Sequence, residues 1–254
     1  MSERDEFRVD PHVKVLTDRV VERAIGAGLD AIVYAPHFTR LPEIRAAAAA
    51  YSSDDLLVIP AREVFTGSVA DRKHVLAIGL REPVPDFITL DAAMAELERQ
   101  GAAVLAPHPE FATVSLGREE LARHRETVDA IEVYNPKHLP RHNRRARAIA
   151  DAFDYPPFGS SYAHLPSTVG IAYTAFDRAI DGAEGLVEAF HDDAPRRVVH
   201  ETGVGRWATT ARELGHLGWE NSWEKIERLF LKGMEPTHPD HIAYGGAFDD
   251  VAVY

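Results

Sequence analysis

Eight short runs rich in apolar and β-branched residues recur along the chain: FRVDPHVKV, DAIVYAP, LLVIPA, HVLAIGL, AAVLAP, AIEVYN, FGSSYAH and RRVVHE. Most are separated by helix-like stretches, TDRVVERAIGAG, PEIRAAAAAYS, LDAAMAELERQG, REELARHRETV, HNRRARAIADAF and AEGLVEAFHDD. This alternation predicts βα units and an α/β fold around a parallel sheet, open or closed into a barrel. After residue 200 the rhythm changes. WATTARELGHLGW (207–219) and WEKIERLFLKG (223–233) read as amphipathic helices, followed by a Pro/Gly/Asp tail. The expected organisation is an α/β barrel over residues 1–200 and a C-terminal helical cap or tail over 201–254. The tail is expected to pack on the same domain, with Trp219 and Trp223 against the barrel.

Composition narrows the chemistry. The chain has no cysteine, so disulfides, thiolate nucleophiles and cysteine-ligated metals are excluded, and any metal must be held by His, Asp or Glu. The opening MSERDEFRVD lacks the apolar core of a signal peptide and no apolar run is long enough to span a bilayer, so a cytoplasmic location without membrane contact is expected. A net charge of −12 argues against nucleic acid and anionic membranes as partners, so an anionic substrate must be met by a local cluster. Five lysines and 23 arginines stand against 40 acidic residues, a self-repelling surface that salt screens, so a halophilic source is expected. A fold equally stable in dilute buffer and in molar KCl would refute that expectation.

In VDPHVKV, period-two alternation sets Asp10, His12 and Lys14 on one face of an extended segment. His37 follows DAIVYAP, Glu63 follows LLVIPA, His74 opens HVLAIGL, His108 follows AAVLAP and His164 follows FGSSYA. These positions are strand ends, and strand ends converge on one mouth in a βα barrel. Five histidines and a glutamate gathered there form a cage for one or more first-row metals. His124, His138, His142, His191 and His216 lie in polar or helical surroundings and are expected at the surface. His238 and His241 belong to the tail, and His200 ends a strand without a role.

In order and spacing these motifs resemble the PHP (polymerase and histidinol phosphatase) domain family. Its DxHxH opening is similar to Asp10-Pro-His12-Val-Lys14, its TDH-like triplet to YAPH ending in His37, and its third motif to VIPAREV with Glu63 followed by KHVLAIGL with His74. VLAPHPE with His108 and GSSYAH with His164 resemble the fourth and fifth motifs, and the resemblance runs from about residue 8 to 176. It implies a distorted (β/α)7 barrel with a C-terminal helical extension, and a mouth that binds up to three divalent ions (Zn, Mn or Fe) and hydrolyses phosphate esters, as histidinol phosphatase-like members do. Carried over position by position, one ion would use Glu63, His74 and His108. A second would use His12, the positions of Lys14 and Tyr162, and Glu63 as a bridge. A third would use His37, His164 and a histidine that LTDRVVER does not supply.

The departures give fewer than three ions and a catalytic role for Lys14 and Tyr162, the Lys14 ammonium standing in for a lost metal beside Glu63. Arg40 from HFTR and Lys137 from NPKH are candidate phosphate contacts, and Asn135 at the end of IEVYN is a candidate for orienting substrate or a ligating histidine. Two functions fit the sequence. One is a metal-dependent phosphoesterase with a reduced metal site, acting on a small phosphorylated substrate. The other is a catalytically inactive barrel that binds an anionic ligand or serves as a scaffold.

Overall fold

Each of the eight apolar runs holds a strand in the computed structural model, which describes residues 6–68, 71–111, 114–201 and 236–253. The strands are β1 (Phe7–Val13), β2 (Ala31–Tyr34), β3 (Leu57–Thr66), β4 (Lys73–Ile78), β5 (Ala103–Ala106), β6 (Ala130–Tyr134), β7 (Pro157–Gly159), β8 (Ala172–Phe176) and β9 (Arg196–His200). The helices are α1 (Asp18–Gly26), α2 (Leu41–Tyr51), α3 (Leu90–Gln100), α4 (Arg118–Arg123), α5 (Pro140–Phe153) and α6 (Gly182–His191). Their ends follow local chemistry. Pro140 opens α5 at a position that needs no N–H, and the Thr89 hydroxyl accepts from Ala92 N at the start of α3, which closes on Gly101 in the left-handed region.

The strands form one mixed sheet in the order β7-β6-β5-β4-β3-β2-β1-β8-β9. The expectation of a parallel sheet is therefore corrected: β4 runs antiparallel to β3 and β5, and β8 antiparallel to β1 and β9. Only six residues separate Thr66 from Lys73, too few for a parallel crossover, so β3 and β4 are bound to form a hairpin. AYTAF (β8) is a further strand that the helix–strand rhythm missed, and FGSSYAH is strand only through Gly159.

The sheet curls until its ends nearly meet, giving a barrel. The Thr174 hydroxyl on β8 donates to Gly159 O and accepts from Gly159 N on β7. A Cβ on Gly159 would lie 2.3 Å from Val198 Cγ1 of β9, so only glycine permits this approach. Inside, Val33, Ile59, Leu76, Leu105 and Phe158 from five strands form one cluster with Leu186 and Phe190 of α6. A second cluster joins the other strand faces to α3 and α5, and a third joins them to α1 and α2.

Residues 236–253 pack on this barrel. Thr89 N and Val253 N donate to Val251 O and Phe87 O, and the Thr237 hydroxyl donates to buried Asp86 at 2.5 Å. The helices expected over 207–219 and 223–233, with Trp219 and Trp223, lie outside the described residues. Among the described residues no helix is long and apolar enough to cross a membrane.

Candidate metal centre

The inner faces of neighbouring strands continue from apolar core into the cage. On β3, Ile59 and Ala61 belong to the inner cluster and Glu63 is the next residue of the same parity. After β2, Val33 and Ala35 lead to His37 in the same way, and on β4 His74 precedes Leu76 and Ile78. The antiparallel turn of β4 matters here. It sets the start of β4 beside the end of β3, pairing His74 with Phe65, so a histidine at a strand's beginning reaches the mouth where the other strands end. The His74 ring stacks on Phe65 at 4.0 Å.

Glu63 is the centre of the cage and is fully enclosed. Its Oε1 faces three imidazoles, with His108 Nε2 at 3.2 Å, His74 Nδ1 at 3.4 Å and His12 Nε2 at 3.6 Å. Its Oε2 accepts from Lys14 Nζ at 2.6 Å and lies 3.1 Å from His37 Nδ1. The Lys14 ammonium also donates to Ala35 O at 2.6 Å, and Lys14 N donates to Ala163 O, which seats the end of β1 between β2 and the 160s loop.

Hydrogen-bond logic fixes one ring. The Ser115 hydroxyl donates to Phe111 O at 2.6 Å, so its lone pair receives the His108 Nδ1 proton across 3.0 Å. In the neutral ring the Nε2 lone pair then faces the Glu63 carboxylate, two acceptors 3.2 Å apart, an arrangement that a cation between them satisfies. About 3.4 Å is the spacing of two ligands at the corners of a tetrahedron with ~2.1 Å metal bonds. The ligand atoms of Glu63, His74 and His108 all lie within 4.8 Å of one another. Neither ring nitrogen of His12 or His74 has a well-aligned hydrogen-bond partner among the described residues, though both rings are buried. The donor set therefore fits a divalent first-row ion held by Glu63, His74 and His108.

The electrostatics agree. Burial alone would raise the Glu63 pKa, but Lys14, then His74 and His12, hold it well below the usual carboxylate value. Burial lowers the pKa of His12, His37, His74 and His164, that of His37 to about 3, with Lys14 or Lys137 adding to the effect. Neutral imidazoles are the form that gives a lone pair to a metal.

A buried polar layer supports the cage. Glu132 on β6 accepts from His108 N at 2.7 Å, from Asn135 Nδ2 and from the Ser160 hydroxyl, tying three strand ends together. Asp10 accepts from Ser161 N and Gly170 N, each at 3.0 Å, and burial lifts its pKa to about 6. His108 and Tyr162 sit at φ of +36° and +48°, left-handed conformations costing on the order of 1–3 kcal/mol each, which these bonds hold in place.

The structure brings together most of the residues picked from the sequence. His12, Lys14, His37, Glu63, His74, His108, Tyr162 and His164 share the mouth; the Tyr162 ring lies 4.7 Å from His12 and 5.4 Å from His108. Lys137 joins them as a buried residue, its Nζ 2.6 Å from His164 Nδ1 and 4.3 Å from the centre of the Tyr162 ring. Arg40 does not join them: it is half-buried and paired with Glu43 one helical turn away. Asn135 is buried in the supporting layer, accepting from Lys137 N and donating to Glu132 Oε2, the oxygen that also accepts from His108 N. His138, expected at the surface, is buried instead and stacks on Phe111 at 4.2 Å, with its pKa pushed down to about 3 by burial. Ser115 and Glu132 were missed. The one legible signal was Glu132 itself, an acid in the middle of the apolar run AIEVY.

Residues 140–195, from α5 through α6, match the family model described as PHP-associated. PsfC from Pseudomonas syringae PB-5123 has a similar structure, at 19% sequence identity and a TM-score of 0.62 over 84% of this chain and 96% of that one. This chain shares the barrel fold of that neighbour. Its other structural neighbours include the lesion-specific endonuclease PfuEndoQ from Pyrococcus furiosus (14% identity, TM-score 0.56, 76% of this chain and 57% of that one). An amidohydrolase from Chromobacterium violaceum is also similar (13% identity, TM-score 0.54, 76% of this chain and 97% of that one). A sequence search of curated proteins gives no match. The segment matched by the PHP-associated model carries Tyr162 and His164, and Glu63, His74 and His108 come from the part before it.

Proposed function

We propose that this barrel is a PHP-type, metal-dependent phosphoesterase with a reduced metal set, acting on a small phosphorylated substrate. The observation that carries the reading is the pair of acceptors, Glu63 Oε1 and His108 Nε2, facing each other at 3.2 Å with His74 Nδ1 at 3.4 Å from the same oxygen. A divalent zinc, manganese or iron ion bound there supplies a Lewis acid and lowers the pKa of water toward neutrality.

The chain's own residues do the rest. Lys14 holds a fixed positive charge on the other oxygen of Glu63, a position where it both balances that carboxylate and attracts phosphoryl oxygens. Glu132, through His108 N, and Ser115, through His108 Nδ1, keep the His108 lone pair aimed inward. Tyr162, half-buried between His12, His108 and His164, narrows the mouth and limits water entry. The named activity of the PfuEndoQ neighbour brings DNA into consideration as a substrate, but a chain with a net charge of −12 repels polyanions and favours a small phosphate ester.

The second reading, an inactive anion-binding barrel, is favoured by one observation: both Lys14 and Lys137 place ammonium groups within the cage. Elemental analysis and turnover of an aryl phosphate decide between the two. About one ion per chain and hydrolysis that is lost together with the metal in His108→Ala support the phosphoesterase. A protein that purifies without metal, binds none on titration and hydrolyses nothing overturns it.

A further inference from the structure

The cage has two halves, and a lysine fills one of them. On one side, Glu63 Oε1, His74 and His108 converge. On the other, Glu63 Oε2 and His37 Nδ1 are 3.1 Å apart, and the His37 and His164 rings are 5.8 Å apart, so a carboxylate oxygen and two imidazoles border a second space. Two ammonium groups reach its edges. Lys14 Nζ lies 2.6 Å from Glu63 Oε2, and Lys137 Nζ lies 2.6 Å from His164 Nδ1, a nitrogen that is also 3.0 Å from Tyr162 O.

An imidazole lone pair is given to an ammonium or to a metal ion, never to both, and an ammonium has only donors to offer. A divalent ion beside these buried ammoniums would also meet weakly screened repulsion. The position of Lys137 is built by its surroundings. Its backbone N donates to Asn135 Oδ1 at 3.0 Å, Asn135 Nδ2 donates to Glu132, and Glu132 is the residue that holds His108 N. The loop that presents the ammonium is thus anchored to the same carboxylate that anchors a ligand of the first half, and Tyr162 lies beneath the ammonium.

We propose that Lys137 is a resident cation occupying a second metal position between His37 and His164. The cage therefore takes one ion and offers a fixed ammonium where a second ion would stand. The inference rests on the phosphoesterase reading's metal at Glu63, His74 and His108. It makes part of the site's positive charge independent of metal supply, so a phosphoryl group meets one exchangeable ion and two permanent ammoniums, Lys14 and Lys137.

The test is cobalt(II) titration of the full chain, followed by d–d absorption and checked by elemental analysis, on wild type, Lys137→Ala and Lys137→Met. The methionine variant keeps the stem volume over Tyr162 should the alanine variant fail to fold. One equivalent in wild type and two in either variant is the expected result. One equivalent in wild type and in both variants overturns the inference and leaves the phosphoesterase reading standing, as does a wild type that already takes two. A wild type that takes none overturns the phosphoesterase reading, and this inference with it.

Discussion

Replacing Lys14 with methionine leaves Glu63 enclosed without its strongest compensating charge. The side chains of both residues are buried and 2.6 Å apart, and the same ammonium satisfies Ala35 O. Breaking a buried pair by removing one partner costs about 3–5 kcal/mol. At about 2–4 °C per kcal/mol for a chain of this size, chelator-treated Lys14→Met should melt roughly 6–20 °C below wild type in differential scanning calorimetry. The sign with pH follows from Glu63. In wild type its folded pKa is held below the unfolded value, so its contribution is present above the unfolded pKa and lost as pH falls. Without Lys14, burial dominates and raises the folded pKa, so the variant's deficit should be largest at pH 8 and shrink toward pH 5 as the carboxyl protonates. Added zinc should recover much of the loss, because the ion supplies the charge the lysine supplied. A melting point within about 2 °C of wild type in chelator, unchanged between pH 5 and pH 8, would refute the assignment of Lys14 as Glu63's charge partner.

Other expectations follow from single contacts. Ser115→Ala removes the acceptor that fixes the His108 tautomer and should weaken metal affinity by about 10–100-fold with the fold retained, as read by competition with a chromogenic chelator. His138 has a folded pKa of about 3 against an unfolded value near 6.5, so the unfolded state binds more protons between these values and stability falls as pH drops through that window. His138→Phe should lower the pH slope of urea-unfolding free energy there by about 1.4 kcal/mol per unit. Gly159→Ala drives a methyl to 2.3 Å from Val198 at the seam of the barrel and should cost about 1–3 kcal/mol in urea unfolding, whereas Gly26→Ala, with nothing within 4 Å, should not destabilise.

Much of the cage was legible in the sequence, for a physical reason. Strand periodicity is local, so Ile59-Ala61-Glu63 and Val33-Ala35-His37 announce an apolar face that turns polar at its end, and the order of such ends predicts a shared mouth. Among the described residues the six α-helices fall on the stretches that read as helical, with α2, α5 and α6 starting one or two residues earlier. The direction of each strand was not legible in the alternation itself. A period of two is the same in parallel and antiparallel ladders, and only the short Thr66–Lys73 connection, once folded, turns His74 toward the mouth. The partners of the candidate ligands were also invisible. Lys137 and His164 are 27 residues apart, His108 and Glu132 are 24 apart, and nothing local distinguishes Lys137 or Arg40 as the one that reaches the cage. Sequence determined which residues could serve as ligands, because side-chain chemistry and periodicity belong to the chain. Tertiary structure decided which of them face Glu63 and where the ammonium groups stand, because those distances exist only once the sheet has curled on itself.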